Sequence, residues 1–227
     1  MRKAFLFVLL AYLCAALCGA TAFAEAAETA MTPEELCEAG ADACDAEDYD
    51  RALEYYRAAA DLGFAKAWRG IGSLYFNGFG VEQSYEKARE YWQLAADQGD
   101  DQAIYNLGYL YGGGFGVEQS FEKAAEYWLP AAEQGNPFAM EGLGCLYAEG
   151  NGVEQSAEKA LEYLQQAADL GAAGAFVDLG ELYENGLGVE QSYAKAAEYY
   201  RLAAEQGIQE AAEALNRLAE EGHIQEK

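Results

Sequence analysis

Four copies of Ser-x-x-Lys offer the plainest chemistry in this chain: Ser84/Lys87, Ser120/Lys123, Ser156/Lys159 and Ser192/Lys195. In β-lactamases and penicillin-binding proteins this spacing sets a nucleophilic serine beside a lysine at a helix start. The chemistry would be acyl transfer. Against it, the companion Ser-Asp-Asn and Lys-Thr-Gly motifs are absent from the sequence. A catalytic site is also out of place in four near-identical settings. A serine at a helix start has a second use, because its hydroxyl caps free backbone N–H groups. On this reading the four serines are structural and the chain carries no catalytic residue.

Other candidates fail on context. Gly112-Gly113-Gly114-Phe115-Gly116 is glycine-rich like a phosphate loop, but it follows a helical pattern and no Gly-Lys-Ser/Thr comes after it. His223 is the only histidine and lies in the tail, which excludes histidine triads and clustered histidine metal sites. Asp42, Asp45, Asp48 and Asp50, and again Asp97, Asp100 and Asp101, lack the spacing of a dedicated calcium loop. They read as solvated acidic surface. Trp92, Trp128 and Tyr200 read as core or groove residues at helical spacing rather than a cofactor box. No metal or cofactor is expected.

The elements that position these residues come in a repeat. Gly-x-Gly-Val-Glu-Gln-Ser occurs four times, ending at Ser84, Ser120, Ser156 and Ser192, always 36 residues apart. Ala67, Gly72, Tyr75, Lys87-Ala88, Tyr91, Ala95-Ala96 and Gly99 recur in the same register. Each unit reads as two helices. Ala67, Ile71, Leu74 and Tyr75 form one apolar face at helical spacing, and Gly78-x-Gly80 supplies the turn. Ser84 opens the second helix, with Glu86 set favourably against its dipole. Ala88, Tyr91, Ala95 and Ala96 form its apolar face, and Gly99 stops it. Gly72 costs about 1 kcal/mol in a helix interior, so its recurrence predicts another helix packed too close there to leave room for a side chain. The fold class is therefore all-α, a right-handed solenoid of antiparallel helix pairs with a 36-residue period. The expected organisation is a signal peptide over 1–24, a short segment 25–30, a variant first repeat 31–66, and repeats 67–102, 103–138, 139–174 and 175–210. A capping helix 211–222 and a tail 223–227 close it.

The pattern Ala-x3-Leu-Gly-x2-Tyr-x2-Gly-x-Gly-Val-x7-Ala-x2-Tyr-x3-Ala-Ala-x2-Gly resembles the Sel1-like repeat family, a relative of the tetratricopeptide repeat. The first unit is closer to the tetratricopeptide form, with Leu36, Gly40, Tyr49, Ala52, Tyr56 and Ala59 at that motif's spacing. The resemblance covers about residues 32–221. One departure is consistent: Ser84, Ser120, Ser156 and Ser192 stand where the family usually has Asp. Both cap helices well, so the fold is unaffected. The resemblance implies an adaptor in protein complexes, and many bacterial members are exported. A cysteine-rich branch has been linked to β-lactam hydrolysis, which leaves a weak β-lactam or cell-wall-directed hydrolase as the alternative. That branch carries paired cysteines in its repeats, and here only one of the four matching units has even one.

In such a solenoid the first helices line the concave side. Positions that recur serve stacking, whereas positions that vary are free to bind. The varying slots are Arg69, Tyr105, Glu141 and Val177; Ser73, Tyr109, Cys145 and Glu181; and Phe76, Gly112, Ala148 and Glu184. Tyrosine and arginine are typical interface anchors, which points to Arg69, Phe76, Tyr105 and Tyr109 as a partner-binding patch. Glu141, Glu181 and Glu184 make the other end of the groove acidic.

The chain opens with Arg2-Lys3, a charge-free apolar run from Ala4 to Leu17, and Ala22-Phe23-Ala24. That is the anatomy of an export signal cut after Ala24, predicting a periplasmic or secreted protein with no stable membrane insertion afterwards. An uncleaved anchor is the alternative, and the weak apolarity of the run's second half counts against it. Removing residues 1–24 takes away two positive charges and no negative one, so the formal charge moves from −25 to −27. So much acid disfavours nucleic acid and anionic membranes, and favours a protein or peptide partner with basic residues. Cys37, Cys44 and Cys145 survive export. On one helix Cys37 and Cys44 would be ~10.5 Å apart along the axis, beyond disulfide reach, so no disulfide framework is expected.

Overall fold

The computed structural model describes residues 31–225, which form eleven helices with no strand among them. The export signal expected over 1–24, the segment 25–30 and the last two residues lie outside the described residues. The helices pair as α1 (Pro33–Asp45) with α2 (Tyr49–Asp61), and α3 (Ala65–Asn77) with α4 (Tyr85–Ala96). Next come α5 (Asp101–Gly113) with α6 (Phe121–Glu133), α7 (Pro137–Glu149) with α8 (Ala157–Asp169), and α9 (Ala173–Asn185) with α10 (Tyr193–Glu205). A single helix, α11 (Gln209–Glu220), closes the series. Each helix packs on the next, so pair stacks on pair as in a helical solenoid.

The glycine inside each first helix makes room for a large side chain. A Cβ on Gly72 or Gly108 would collide with the indole of Trp92 or Trp128 from the same pair's second helix. Leu164 and Tyr200 fill the same place against Gly144 and Gly180. The expected close neighbour is thus a side chain rather than a helix backbone. Trp92 is 3% exposed and Tyr200 1%; burying a ring this fully stabilises by roughly 2–3 kcal/mol. Each indole N–H keeps a partner: Trp92 donates to the Arg69 carbonyl at 3.2 Å and Trp128 to that of Tyr105 at 3.1 Å.

The joint between paired helices is built the same way each time. The first helix of the second pair ends on Gly78 in the left-handed region, at φ 73°, and Gly80 at φ 66° turns the loop onto the start of α2. Such angles favour glycine over any residue with a Cβ. The glutamine of Val-Glu-Gln-Ser then ties the loop back. Gln83, Gln119, Gln155 and Gln191 donate to the carbonyls of Phe76, Gly112, Ala148 and Glu184 at 2.7–2.8 Å. The following serine N–H groups donate to the carbonyls of Tyr75, Tyr111, Tyr147 and Tyr183. α1 opens on a Thr32/Glu35 capping box, and α7 on Asn136 as its cap followed by Pro137.

The first and last described helices depart from the pattern. Counting from each helix start, Ala39 and Asp42 of α1 stand where α3 has Ile71 and Leu74. In α11, Asn216 and Ala219 replace the glycine and tyrosine that every matching first helix carries. The closing helix nevertheless leads into the usual turn. Gly222 has φ 78°, and the His223 N–H donates to the Leu218 carbonyl as Leu187 does to Leu182. His223 is therefore part of the fold rather than of a tail. Its ring stacks on Tyr193 at 3.8 Å, as Phe79 stacks on Tyr49 at 4.7 Å.

A candidate binding face on the first helices

The Ser-x-x-Lys pairs are already committed, and to different partners. Ser84, Ser120, Ser156 and Ser192 accept from the backbone N–H groups of Lys87, Lys123, Lys159 and Lys195 at 3.2–3.3 Å, as helix caps. The lysine ammonium groups sit over the rings of Tyr75, Tyr111, Tyr147 and Tyr183, at 4.7–4.9 Å from the ring centres. Each of those rings stacks in turn on Tyr91, Tyr127, Tyr163 or Tyr199. A cation over a tyrosine contributes on the order of 1 kcal/mol at such sites. The motif is a structural stack of lysine on two tyrosines, and no serine–lysine dyad forms.

The varying slots of the first helices do gather into one face, with two unlike halves. In the first half Phe76 on α3 lies 6.1 Å from Tyr109 on α5, and Tyr105 lies 6.4 Å from Tyr109. Three rings not singled out from the sequence complete the cluster. Phe115 lies 5.3 Å from Phe76 and 5.4 Å from Tyr109, Tyr85 lies 5.2 Å from Phe76, and Phe138 lies 5.8 Å from Tyr105. Tyr109 is 44% exposed and Phe138 48%. Phe115 was hidden inside a glycine-rich loop. Phe138 could have been found, because its slot varies from Phe138 to Gly174 in the next unit.

Arg69 does not present the free cation that its sequence position suggested. Its Nε lies 3.0 Å from Oδ1 of Asp100, whose side chain is only 6% exposed. Asp100 also caps α5 by accepting from the Ala103 N–H at 2.8 Å. This corrects the expectation that Asp100 belongs to a solvated acidic surface: the residue at a helix start is buried under the preceding unit.

In the second half the slots turn acidic. Glu141 on α7 is half-buried and accepts a backbone hydrogen bond from Ala175, in the first turn of α9, which has no side-chain cap of its own. Burial pushes its carboxyl up, the hydrogen bond only partly opposing this. Asp178 was missed from the sequence, although its slot varies through Gly70, Asn106 and Gly142. It accepts from the Cys145 thiol at 3.4 Å. Burial, with Glu141 and Glu181 nearby, pushes its carboxyl up to about 7. Cys145 is held as the thiol, its acidity suppressed first by burial and then by Asp178. Glu181 is raised by desolvation and by Glu184. Glu184 behaves differently from the role expected of it. It accepts from Arg217 at 3.0 Å and from the Tyr200 hydroxyl at 2.7 Å, and the arginine holds its carboxyl below the usual range. Its charge is spent on α11. Cys37 and Cys44 share α1, and all three cysteines are free.

Known proteins of this shape are similar over most of the described residues. A Sel1 repeat protein from Oxalobacter formigenes is 31% identical, over 82% of this chain and 74% of its own, with a TM-score of 0.74. A protective antigen of uropathogenic Escherichia coli strains, displaying an SLR fold, is 29% identical over 84% of this chain, with a TM-score of 0.70. The chain spans only 42% of that antigen's length. An immunity protein of Pseudomonas aeruginosa is 32% identical over 71% of this chain and 60% of its own, with a TM-score of 0.54. No curated protein matches. Residues 35–64, 66–100, 101–136, 137–171 and 177–208 each match the family described as Sel1 repeat, so the chain belongs to the Sel1 repeat family.

Proposed function

We propose that this protein is a non-catalytic scaffold that holds a segment of another protein against the first-helix face between α3 and α9. Sel1 repeat proteins are generally protein-interaction scaffolds. The observation that carries the reading here is the aromatic cluster, because Tyr109 and Phe138 remain exposed although they belong to a cluster of eight rings. Exposed aromatics on a packed base are typical interface anchors. The similar structures include an antigen and an immunity protein, names that describe no reaction on a small substrate. A β-lactam or cell-wall hydrolase would need the serine and lysine to meet, and capping and ring contacts keep them apart.

The partner is a protein or peptide with basic residues, suited to a chain of formal charge −25, or −27 once residues 1–24 are removed. The scaffold works in the periplasm or outside the cell, a reading supported by the charge-free run before Ala22-Phe23-Ala24. N-terminal sequencing of exported protein should give Glu25; a start at Met1 in the membrane fraction would mean an anchor. To test the face, wild-type protein and a Tyr109→Ala/Phe138→Ala variant are used to capture partners side by side. A true partner is retained by the first and lost by the second, with an affinity difference of at least ~2 kcal/mol by calorimetry. Equal retention would move the site elsewhere.

A further inference from the structure

The first helix pair leaves incomplete a stack that the four later pairs share. In each of those four, a tyrosine of the first helix (Tyr75, Tyr111, Tyr147 or Tyr183) lies under a lysine ammonium at 4.7–4.9 Å. The same ring stacks on a tyrosine of the second helix at 5.6–5.8 Å. The buried glycine sets the register of the first pair, because Gly40 faces Tyr56 as Gly72 faces Trp92. In that register Arg51 stands at the place of Lys87, Tyr55 at that of Tyr91, and Ala43 at that of Tyr75. The cation and the second tyrosine are present, but no ring joins them. Arg51 rests on Tyr55 itself, 5.7 Å from the ring centre, with Nη2 donating to the hydroxyl at 3.3 Å. A cleft of about 300 Å³ remains between the two helices, lined by Ala39, Asp42 and Ala43 of α1 and by Asp48, Arg51 and Tyr55 of α2.

We propose that this cleft receives one aromatic side chain from a basic helix of a partner protein, as a second contact site apart from the first-helix face. The incoming ring takes the place left by Ala43 and stacks on Tyr55, while the exposed Arg51 guanidinium moves over it. Both contacts are of kinds the chain already makes four times, and arginine is well suited to stacking on an aromatic face. The residues just before α1 supply no such ring, since 25–30 read Glu-Ala-Ala-Glu-Thr-Ala. That the ring arrives on a helix follows from the inner units, where the second helix of the preceding pair lies beside the stack. Arg89, Gln93 and Leu94 of α4 border Tyr111, and the Tyr127 and Tyr199 hydroxyls donate to Gln93 and Gln165 at 3.3 and 3.2 Å. Before α1 no such helix lies among the described residues. Charge then decides whose helix it is. Asp42 and Asp48 line the cleft, and every charged side chain on α1 is acidic, so a basic helix is the complement. A second copy of the chain would instead bring a further formal charge of −25.

A random peptide library displayed on phage is panned against the full chain carrying Tyr109→Ala/Phe138→Ala, which disables the first-helix face and keeps its fate separate. Enriched peptides are synthesised for calorimetry and circular dichroism. They should carry an aromatic residue among arginines or lysines, gain helicity on binding, and bind the wild-type chain equally well. Ala43→Tyr refills the cleft from within. It should weaken these peptides at least about tenfold and raise the melting temperature of the chain by a few degrees. Arg51→Ala, a change at an exposed side chain, should weaken them about fivefold through loss of the cation over the ring. Peptides without a ring, or ones indifferent to both Ala43→Tyr and Arg51→Ala, would overturn the proposal, as would no enrichment at all or a destabilised Ala43→Tyr chain. A dimer in sedimentation that Ala43→Tyr dissolves would give the cleft to a second copy and overturn the choice of partner.

Discussion

Residues 65–133 and residues 137–205 are two pairs of units joined by identical turns, capped by the same serine and stacked on the same lysine–tyrosine column. Apart from Phe138 at the start of α7, their first-helix faces nonetheless carry opposite chemistry. Phe76, Tyr105, Tyr109 and Phe115 in the first pair give way, at the same positions, to Ala148, Glu141, Cys145 and Asn151 in the next unit. The core residue under each half changes in step. Rigid indoles, Trp92 and Trp128, underlie the aromatic half, while Leu164 and Tyr200 underlie the acidic one. The lesson is that the repeat's constant residues keep the frame regardless of what its face displays. The frame should therefore tolerate changes on the face and resist changes beneath it.

The two halves should differ most at the buried glycines. Ala in place of Gly normally helps a helix by about 1 kcal/mol, but Gly108→Ala pushes a methyl into the Trp128 indole. We expect a net loss of ~3 kcal/mol, typical of overpacking a filled core. Gly144→Ala meets the Leu164 side chain, which is smaller and more flexible than an indole, so its loss should be the lesser, near ~1 kcal/mol. Urea unfolding of the two variants checks the order; equal losses would deny that the halves differ beneath the face.

The second contrast is in binding. Tyr105→Ala with Tyr109→Ala should weaken a captured partner by at least ~2 kcal/mol. The double change also costs stability, since Tyr105 lies 6.2 Å from Trp128 in a stacked pair. Tyr109→Ala alone should lose affinity with an unchanged melting temperature, which separates recognition from packing.

Third comes pH. Asp178 has its folded value raised to about 7, so the folded chain holds a proton that the unfolded chain has lost above pH ~4. Stability from this group is full below that and falls as pH rises toward 7. Between pH 5 and pH 8 the loss should be roughly 2 kcal/mol, visible as a lower melting temperature at pH 8. Asp178→Asn should remove most of it. A melting temperature that instead rises with pH in this window, and is unchanged by that variant, would contradict the buried acid.

The smallest effects belong to the caps. Ser120→Ala and Ser156→Ala should each cost about 1 kcal/mol. Ser156→Asp should be neutral. Ser120→Asp should lose a few tenths of a kcal/mol, because the Ser120 hydroxyl donates to Glu122 at 3.1 Å and a second carboxylate would face it. Nitrocefin should stay intact throughout.

Much of this fold was open to sequence reasoning because each unit repeats its own checks. The glycine and the side chain that fills its place stay 20 residues apart, from Gly72 and Trp92 to Gly180 and Tyr200. The serine caps declared themselves by position. The ion pairs did not. Arg69 and Asp100, or Glu184 and Arg217, come together across units, 31 and 33 residues apart, and nothing in a chain with 39 acids marks which one is taken. Burial hid Asp178 in the same way, since its raised carboxyl depends on neighbours from another helix. His223 was misplaced in a tail because the sixth unit keeps the turn but lacks the Val-Glu-Gln-Ser that makes the others visible.

The glutamine-tied turn has a consequence for how such proteins change over generations. Because the same joint returns every 36 residues, an in-frame exchange between any two copies yields a shorter or longer chain whose breakpoints still fit. Losing the unit from 103 to 138 would delete Tyr105 and Tyr109 and set Phe76 directly against the acids of α7. The distance from anchor to charge would shorten by one unit in a single event, with no new packing to invent. Recombination can thus retune what this face recognises faster than point substitution can, while the architecture passes through unchanged.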